Sequence, residues 1–183
     1  MEFLIDRLDT PIGTMRILCD DLGNLRATDW DDHGDRFARL LKIHYGTRSE
    51  PKPASDPHGV TTMLRNFFKG DITALDAIPA ATNGTEFQCD VWNELRRIPG
   101  GTTISYGQLA VRIGRPAAVR AVGLANGSNP IGIVVPCHRV IGSNGKLTGY
   151  GGGLHRKEWL LQHEAQHTSP LFRADHTAAQ RSK

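Results

Sequence analysis

The chain has 183 residues, 39% of them hydrophobic and 22% charged, with a formal net charge of +3. This is the ordinary make-up of a globular protein with a true core, in one large domain or two small ones. No apolar run is long enough to span a bilayer and the first residues lack a charged-then-apolar leader pattern, so a cytoplasmic location without membrane attachment is expected.

In chain order, the first thirty residues predict a small antiparallel sheet from Phe3-Leu4-Ile5, Met15-Arg16-Ile17-Leu18 and Leu25-Arg26-Ala27-Thr28, separated by Gly-containing turns. Phe37, Leu40, Leu41 and His44 recur at helical spacing. Residues 49–58 carry three prolines and predict a loop. Val60, Met63, Leu64, Phe67 and Phe68 predict a helix ended by Gly70. The expected organisation is an α/β domain over residues 1–78, a linker at 79–84, a mainly helical domain at 85–164 and a polar, disordered tail at 165–183.

Thr85 is placed to cap a helix lined by Phe87, Val91, Trp92 and Leu95. Ser105 is a natural cap for the helix that follows, which Gly114-Arg115 breaks. Pro116 sits well at the first turn of a second helix, Ala117 to about Asn126. Two short helices joined through a glycine predict a helix-turn-helix, a pattern that plain core helices also produce. The second helix holds Ala117, Ala118, Ala121, Gly123 and Ala125, and its one charged residue is Arg120. Small side chains suit close approach to nucleic acid and tight helix packing equally. Gly149 to Gly153 read as a flexible loop able to let its backbone approach a flat ligand. Leu154, Trp159, Leu160 and Leu161 predict a last helix ending near Glu164.

Residues 1–95 carry 10 Lys/Arg and 16 Asp/Glu, whereas residues 96–157 carry nine Lys/Arg and no acid. A long acid-free stretch suits phosphate neutralisation. It contains Pro136-Cys137-His138-Arg139. A thiolate is the strongest side-chain nucleophile, and histidine titrates near neutrality. Adjacent residues of a regular strand face opposite ways, so the pair is expected in a turn or at a helix start, with both side chains inward. A carboxylate is then needed to orient the imidazole, with Glu164 and Glu158 as the nearby acids. Asn129 is either a plain turn residue or a tie that fixes the cysteine turn. Three cysteines, Cys19, Cys89 and Cys137, do not make a disulfide framework, and neither CxxC nor HExxH occurs, so no metal or other cofactor is expected.

Phe87-Gln88, Val91-Trp92, Ser105-Tyr106-Gly107, Arg120-Ala121-Val122-Gly123, Asn129-Pro130, Pro136-Cys137-His138-Arg139-Val140, Gly149-Tyr150 and Lys157-Glu158-Trp159-Leu160-Leu161 stand in one order across residues 85–164. In this the chain resembles the O6-alkylguanine-DNA alkyltransferases, in their single-unit bacterial form. The resemblance implies that Cys137 accepts the alkyl group, that His138 takes its proton through a water, and that Glu164 orients His138. It implies that Asn129 supports the cysteine turn and that Tyr106 donates its hydroxyl proton to the guanine. Val140, Tyr150, Gly151 and Gly152 would form the base pocket. Arg120 would fill the space left by the flipped base, with Ser105, Tyr106, Ala121 and Gly123 beside it on DNA.

The implied partner is double-stranded DNA bearing O6-alkylguanine. The implied protein is a monomer, with clustering along the duplex and O4-alkylthymine as a second substrate left open. Gly151 stands where some relatives carry serine, which leaves the preferred lesion size open. Two rival readings are a DNA-binding regulator without catalysis and a cysteine hydrolase. The first leaves the Pro-Cys-His unexplained. The second usually draws its Cys and His from distant parts of a chain.

Overall fold

The computed structural model describes residues 1–46 and 50–168. Strands β1 (Phe3–Thr10) and β2 (Gly13–Asp20) form a hairpin whose register runs from Phe3 opposite Asp20 to Thr10 opposite Gly13. Gly13 closes the reversal at φ +118°, a conformation that side-chain-bearing residues rarely adopt. Strand β3 (Leu25–Trp30) adds antiparallel to β2. Strand β4 (Lys52–Pro53) pairs parallel with β1, giving the order β3-β2-β1-β4. The expected loop over 49–58 therefore contains a short strand. Its proline is tolerated because the strand lies at the sheet edge, where a missing N–H breaks no inner ladder.

Strand β3 is the other end of that order, yet all of its residues are buried. Two later segments run along its free side. Leu25 N donates to Pro79 O at 2.7 Å, Ala81 N to Leu25 O at 3.1 Å, and Thr28 N to Pro130 O at 2.9 Å. The segment expected as a linker and the run leading into Cys137 are both hydrogen-bonded to the N-terminal sheet.

Helix α1 (Gly34–Tyr45) buries Phe37, Leu40 and His44, and α2 (Val60–Phe68) buries Val60, Leu64 and Phe67, as three- and four-residue spacing requires. Helices α3 (Glu86–Leu95) and α4 (Tyr106–Arg112) each open on a reciprocal cap, Thr85 with Gln88 and Ser105 with Gln108. Gly114, at φ +71°, turns the chain from α4 towards α5 (Val119–Gly127). The second helix begins two residues later than expected. Arg115 to Ala118 form a turn of their own, closed by Ala118 N on Arg115 O at 2.9 Å.

Short strands β5 (Ile104–Ser105) and β6 (Val140–Ile141) pair in parallel. Helix α6 (Leu154–His167) runs past the expected stop at Glu164. Thr168 then satisfies the Glu164 carbonyl with its N–H at 2.9 Å. The boundary drawn at residue 164 thus falls inside α6, and residues 169–183 of the expected tail lie outside the described residues.

One core joins Met15, Ile17 and Trp30 of the sheet to Leu64 and Phe67 of α2, Trp92 of α3, Leu109 of α4, Val122 of α5 and Leu160 of α6. Full burial of each such aliphatic or phenyl side chain is worth about 1.5–3 kcal/mol. Trp92 also fixes α3 on α5, its Nε1 donating to Ala125 O at 2.9 Å. No helix among the described residues is long and apolar enough to cross a membrane.

Candidate active site

The segment from Asn129 to Pro136 is apolar but not a strand. It is a chain of tight turns spanned by one side chain. Asn129 Nδ2 donates to Val135 O at 2.8 Å, and Asn129 Oδ1 accepts from Ile131 N at 3.0 Å. Within this span Ile133 sits at φ +72°, an outlier for a β-branched residue, and such strain persists only where surrounding contacts impose it. Cys137 to Arg139 then form a 3-10 turn, with Cys137 N donating to Val135 O at 2.8 Å. The turn lets consecutive residues face inward: Cys137 is 7% exposed and His138 not at all.

His138 Nε2 meets Glu164 Oε1 at 2.8 Å. A carboxylate acceptor there fixes the proton on Nε2 and leaves the Nδ1 lone pair free. Nδ1 is buried and has no hydrogen-bond partner among the described residues. Burial pushes the His138 pKa down, against the pull of Glu164, so the imidazole is neutral at pH 7. Glu164 also receives Gly101 N at 3.1 Å and Arg139 Nη2 at 2.7 Å. Burial works against its charge, but His138 and Arg139 prevail and hold its pKa well below the usual carboxylate range. Neutral Nδ1 is thus a base poised next to the cysteine in sequence, with its orientation locked from behind.

Burial raises the pKa of the Cys137 thiol, opposed by the Asn129 side chain and the positive charges of Arg36 and Lys157. The resting group is a thiol that needs a base to become a nucleophile.

The strand that leaves the cysteine turn is tied to α4 and to α6. The β5–β6 pairing puts Ser105 opposite Ile141, which carries Tyr106, the first residue of α4, alongside the strand that leaves the cysteine turn. The Tyr106 hydroxyl lies 3.4 Å from Thr148 Oγ1. Lys157 is fully buried, and its Nζ donates to Val140 O at 2.7 Å and Thr148 O at 2.8 Å. It thereby pins both ends of the segment between β6 and the glycine loop. Burial lowers its pKa to about 8, with Cys137 pulling the other way.

The glycine loop is packed, contrary to the expected free loop. A methyl group added at Gly151 would lie 2.5 Å from Arg36 Nη2, and one at Gly152 would lie 2.5 Å from Trp30 Nε1. His33 Nδ1 hydrogen-bonds Gly151 O at 2.9 Å and Arg156 Nη1 donates to Gly152 O at 3.0 Å. These glycines allow close packing against the N-terminal half. Tyr150, Gly151 and Gly152 line one cavity with Cys137, Asn126, Asn129 and Arg36.

Outside this centre, α5 presents Arg120 and Ala121 to solvent, with Leu124 72% exposed between them and the helix end. Gly123 is half-buried, and a side chain there would touch the Tyr106 ring at 3.9 Å. The site residues expected from the sequence thus fall into two groups, a buried centre around Cys137 and an exposed face on α5, which meet at Tyr106.

Sequence reasoning missed Arg139, Lys157, Arg36 and Asn126. Arg139, Arg156 and Lys157 belong to the nine basic residues read as a phosphate-binding stretch, yet all three are buried and hold the structure from within. A buried lysine or arginine must find a carboxylate or carbonyls. The lack of acids within residues 96–157 was a signal that the carboxylate partners of Arg139 and Arg156, which are Glu164 and Asp32, lie outside that stretch. Among the described residues no group of three or more His, Cys, Asp or Glu could hold a metal ion.

A family model described as "6-O-methylguanine DNA methyltransferase, DNA binding domain" matches residues 86–166. The methylated-DNA–protein-cysteine methyltransferase of Shigella flexneri is 51% identical over 165 residues, which are 90% of this chain and 96% of that protein. The protein of the same name from Mycolicibacterium paratuberculosis is 47% identical over 163 residues, 88% of this chain and 92% of the relative. Among solved structures, Mycobacterium tuberculosis OGT in complex with DNA aligns with a TM-score of 0.74 at 38% identity, over 93% of this chain and 96% of that one. The Mycobacterium tuberculosis O6-methylguanine methyltransferase aligns at 0.72 and 36%, over 92% and 96%. Likeness of this extent spans the sheet, the helix pair and the buried Cys-His turn together, and the chain belongs to the methylated-DNA–protein-cysteine methyltransferase family.

Proposed function

We propose that this protein repairs DNA directly, taking the alkyl group from O6 of guanine onto its own Cys137, once per molecule. The observation that carries the reading is the buried run Cys137, His138, Glu164, Arg139, in which a neutral histidine with a free Nδ1 adjoins a protonated thiol. His138 takes the thiol proton through one water, and Glu164 holds the ring in place. The sulfur then forms a bond to the alkyl carbon while the carbon–O6 bond breaks. The electron pair leaves with guanine, and the Tyr106 hydroxyl supplies the proton that makes the leaving base neutral. The product is a thioether, which water does not readily hydrolyse, so the protein is consumed.

O6 of a stacked base cannot reach a buried thiol, so the nucleotide must leave the duplex. The exposed α5 face, with Arg120 among small residues, is the surface offered to the DNA, and Arg120 replaces the extruded base in the stack. Ser105, Ala121 and Gly123 flank it, and Val140 with Tyr150 to Gly152 receives the base. The protein acts in the cytoplasm as a monomer on double-stranded DNA, with copies clustering along the duplex.

The test is intact mass before and after incubation with duplex DNA containing one O6-methylguanine, followed by peptide mapping. The expected result is a gain of one CH2 on the Cys137 peptide, with one base restored per protein. An unchanged mass in folded protein, or a gain that survives Cys137→Ser, refutes the reading.

A further inference from the structure

Asn126, near the end of α5, is 4% exposed. Its Nδ2 donates to Cys137 O at 3.4 Å, the carbonyl of the reacting residue itself. Its Oδ1 is buried and has no hydrogen-bond partner among the described residues. Native proteins pair nearly all such atoms, and an unpaired buried acceptor is costly. Asn126 lines the cavity beside Cys137 together with Thr28, Arg36, Gly132 and Tyr150.

Much of that wall is polar. Arg36 Nη1 donates to Asp29 at 2.6 Å and Thr28 Oγ1 donates to Gly132 O at 2.8 Å, so these two donors are engaged. The Asn126 oxygen is the buried acceptor left over. The cavity volume is ≈ 20 Å³, room for roughly one water-sized group. Gly151 and Gly152 stand close against Arg36 and Trp30 on that side.

We propose that this cavity selects O6-adducts that place a small hydrogen-bond donor just beyond the reacting carbon, as a 2-hydroxyethyl group does, and that Asn126 Oδ1 accepts that donor. The inference rests on the alkyl-transfer reading of Cys137. A hydroxyl is water-sized and brings the donor that Oδ1 lacks. A methyl group of the same size fills the space and leaves the oxygen unpaired. A site built to hydrogen-bond a group discriminates against the analogue lacking it far more sharply than an apolar pocket discriminates by size. The hydroxyl is a spectator in the transfer. Sulfur bonds to the carbon attached to O6, that carbon–O6 bond breaks, guanine leaves with the electron pair and takes up a proton, and Cys137 is left as a hydroxyethyl thioether.

The experiment measures single-turnover rate constants on one duplex sequence carrying O6-methyl-, O6-(2-hydroxyethyl)- or O6-n-propylguanine. Hydroxyethyl and propyl match in heavy atoms and differ in the terminal group. The wild-type protein is expected to favour hydroxyethyl over propyl by about tenfold. In Asn126→Leu, which keeps the size and removes both polar atoms, the ratio is expected to fall to near unity or invert. The comparison is a ratio within each protein, so a general loss of activity does not obscure it.

If Asn126→Leu does not fold, the wild-type ratio still decides, with Asn126→Ser as the second variant. Propyl reacting as fast as hydroxyethyl in the wild type overturns the proposal, as does an unchanged ratio in the variant. Methyl transfer is the separate control. Its presence with the wrong ratio defeats only the role of Asn126, whereas its absence defeats the alkyl-transfer reading and this proposal with it.

Discussion

Arg139 grips the Glu164 carboxylate through Nε and Nη2 at 2.7–3.1 Å, from the position immediately after the histidine that the same carboxylate faces. Both side chains are buried, at 8% and 0% exposure. Removing one partner of such a pair leaves the other charge uncompensated, which costs about 3–5 kcal/mol. Arg139→Ala is therefore expected to lose that much stability in urea unfolding. Arg139→Lys, which keeps the charge but not the forked contact, should fall between. A loss below about 1 kcal/mol for the alanine variant would reduce the pair to a surface bridge and contradict this account.

The low pKa of His138 predicts a pH dependence of stability. In the unfolded chain the imidazole titrates near 6.5. In the folded protein burial holds it neutral to lower pH, so below about 6.5 the unfolded state binds a proton that the folded state refuses, and stability falls as pH drops. Glu164 adds nothing in this range. Its depressed pKa keeps its contribution intact until the pH approaches the unfolded carboxylate value of about 4.3. Between pH 7.5 and 5 the wild type should lose stability more steeply than His138→Gln, a comparison that cancels the other histidines. Parallel slopes in the two proteins would show that His138 takes up its proton as easily folded as unfolded.

Gly152 and Gly149 make a matched pair. An added Cβ at Gly152 would stand 2.5 Å from Trp30 Nε1 and 2.8 Å from Tyr150 Cε1, whereas at Gly149 it would meet nothing within 4 Å. Gly152→Ala is expected to cost about 1–3 kcal/mol by overpacking and to slow alkylation of Cys137 by displacing Tyr150. Gly149→Ala should stay within about 0.5 kcal/mol. Thermal melts and rate constants on both proteins check this, and equal behaviour would mean that the loop is not seated on Trp30.

In the proposed function, Arg120 serves extrusion of the base and Tyr106 the chemistry on it, so their variants should behave differently. Arg120 is exposed on α5. Arg120→Ala should slow repair of a paired lesion by roughly tenfold or more, because the unstacking cost of a few kcal/mol is no longer offset, while a lesion in single-stranded DNA suffers less. Equal losses on the two substrates would remove Arg120 from the flipping step. Tyr106→Phe should lower the transfer rate much more than DNA affinity, and matched losses in both would count against its role as proton donor.

Local chemistry was legible in the sequence where a few neighbouring residues decide it. Thr85 and Ser105 each cap a helix because their partners, Gln88 and Gln108, lie three residues on. The alternation of strand side chains was enough to place Cys137 and His138 in a turn. What depends on distant partners was not legible. Lys157 is satisfied by Val140 and Thr148 carbonyls, and Arg139 by an acid 25 residues later, so both read as surface charges. The glycine loop read as free because Trp30 and Arg36, which it packs against, lie over a hundred residues away. Strand β4, only two residues long, is too short to leave a periodic trace.

Thr28 gives its N–H to Pro130 and its hydroxyl to Gly132, so the run into the cysteine lies along the outer side of β3. A bare strand edge is a template on which other chains can add and aggregate. Here the reactive loop is itself the cover. The same hydrogen bonds that hold the cysteine turn in place keep the sheet from recruiting neighbours. A chemical or mutational change that drives this loop outward would therefore do two things at once: it would disarm the thiol and open an adhesive edge.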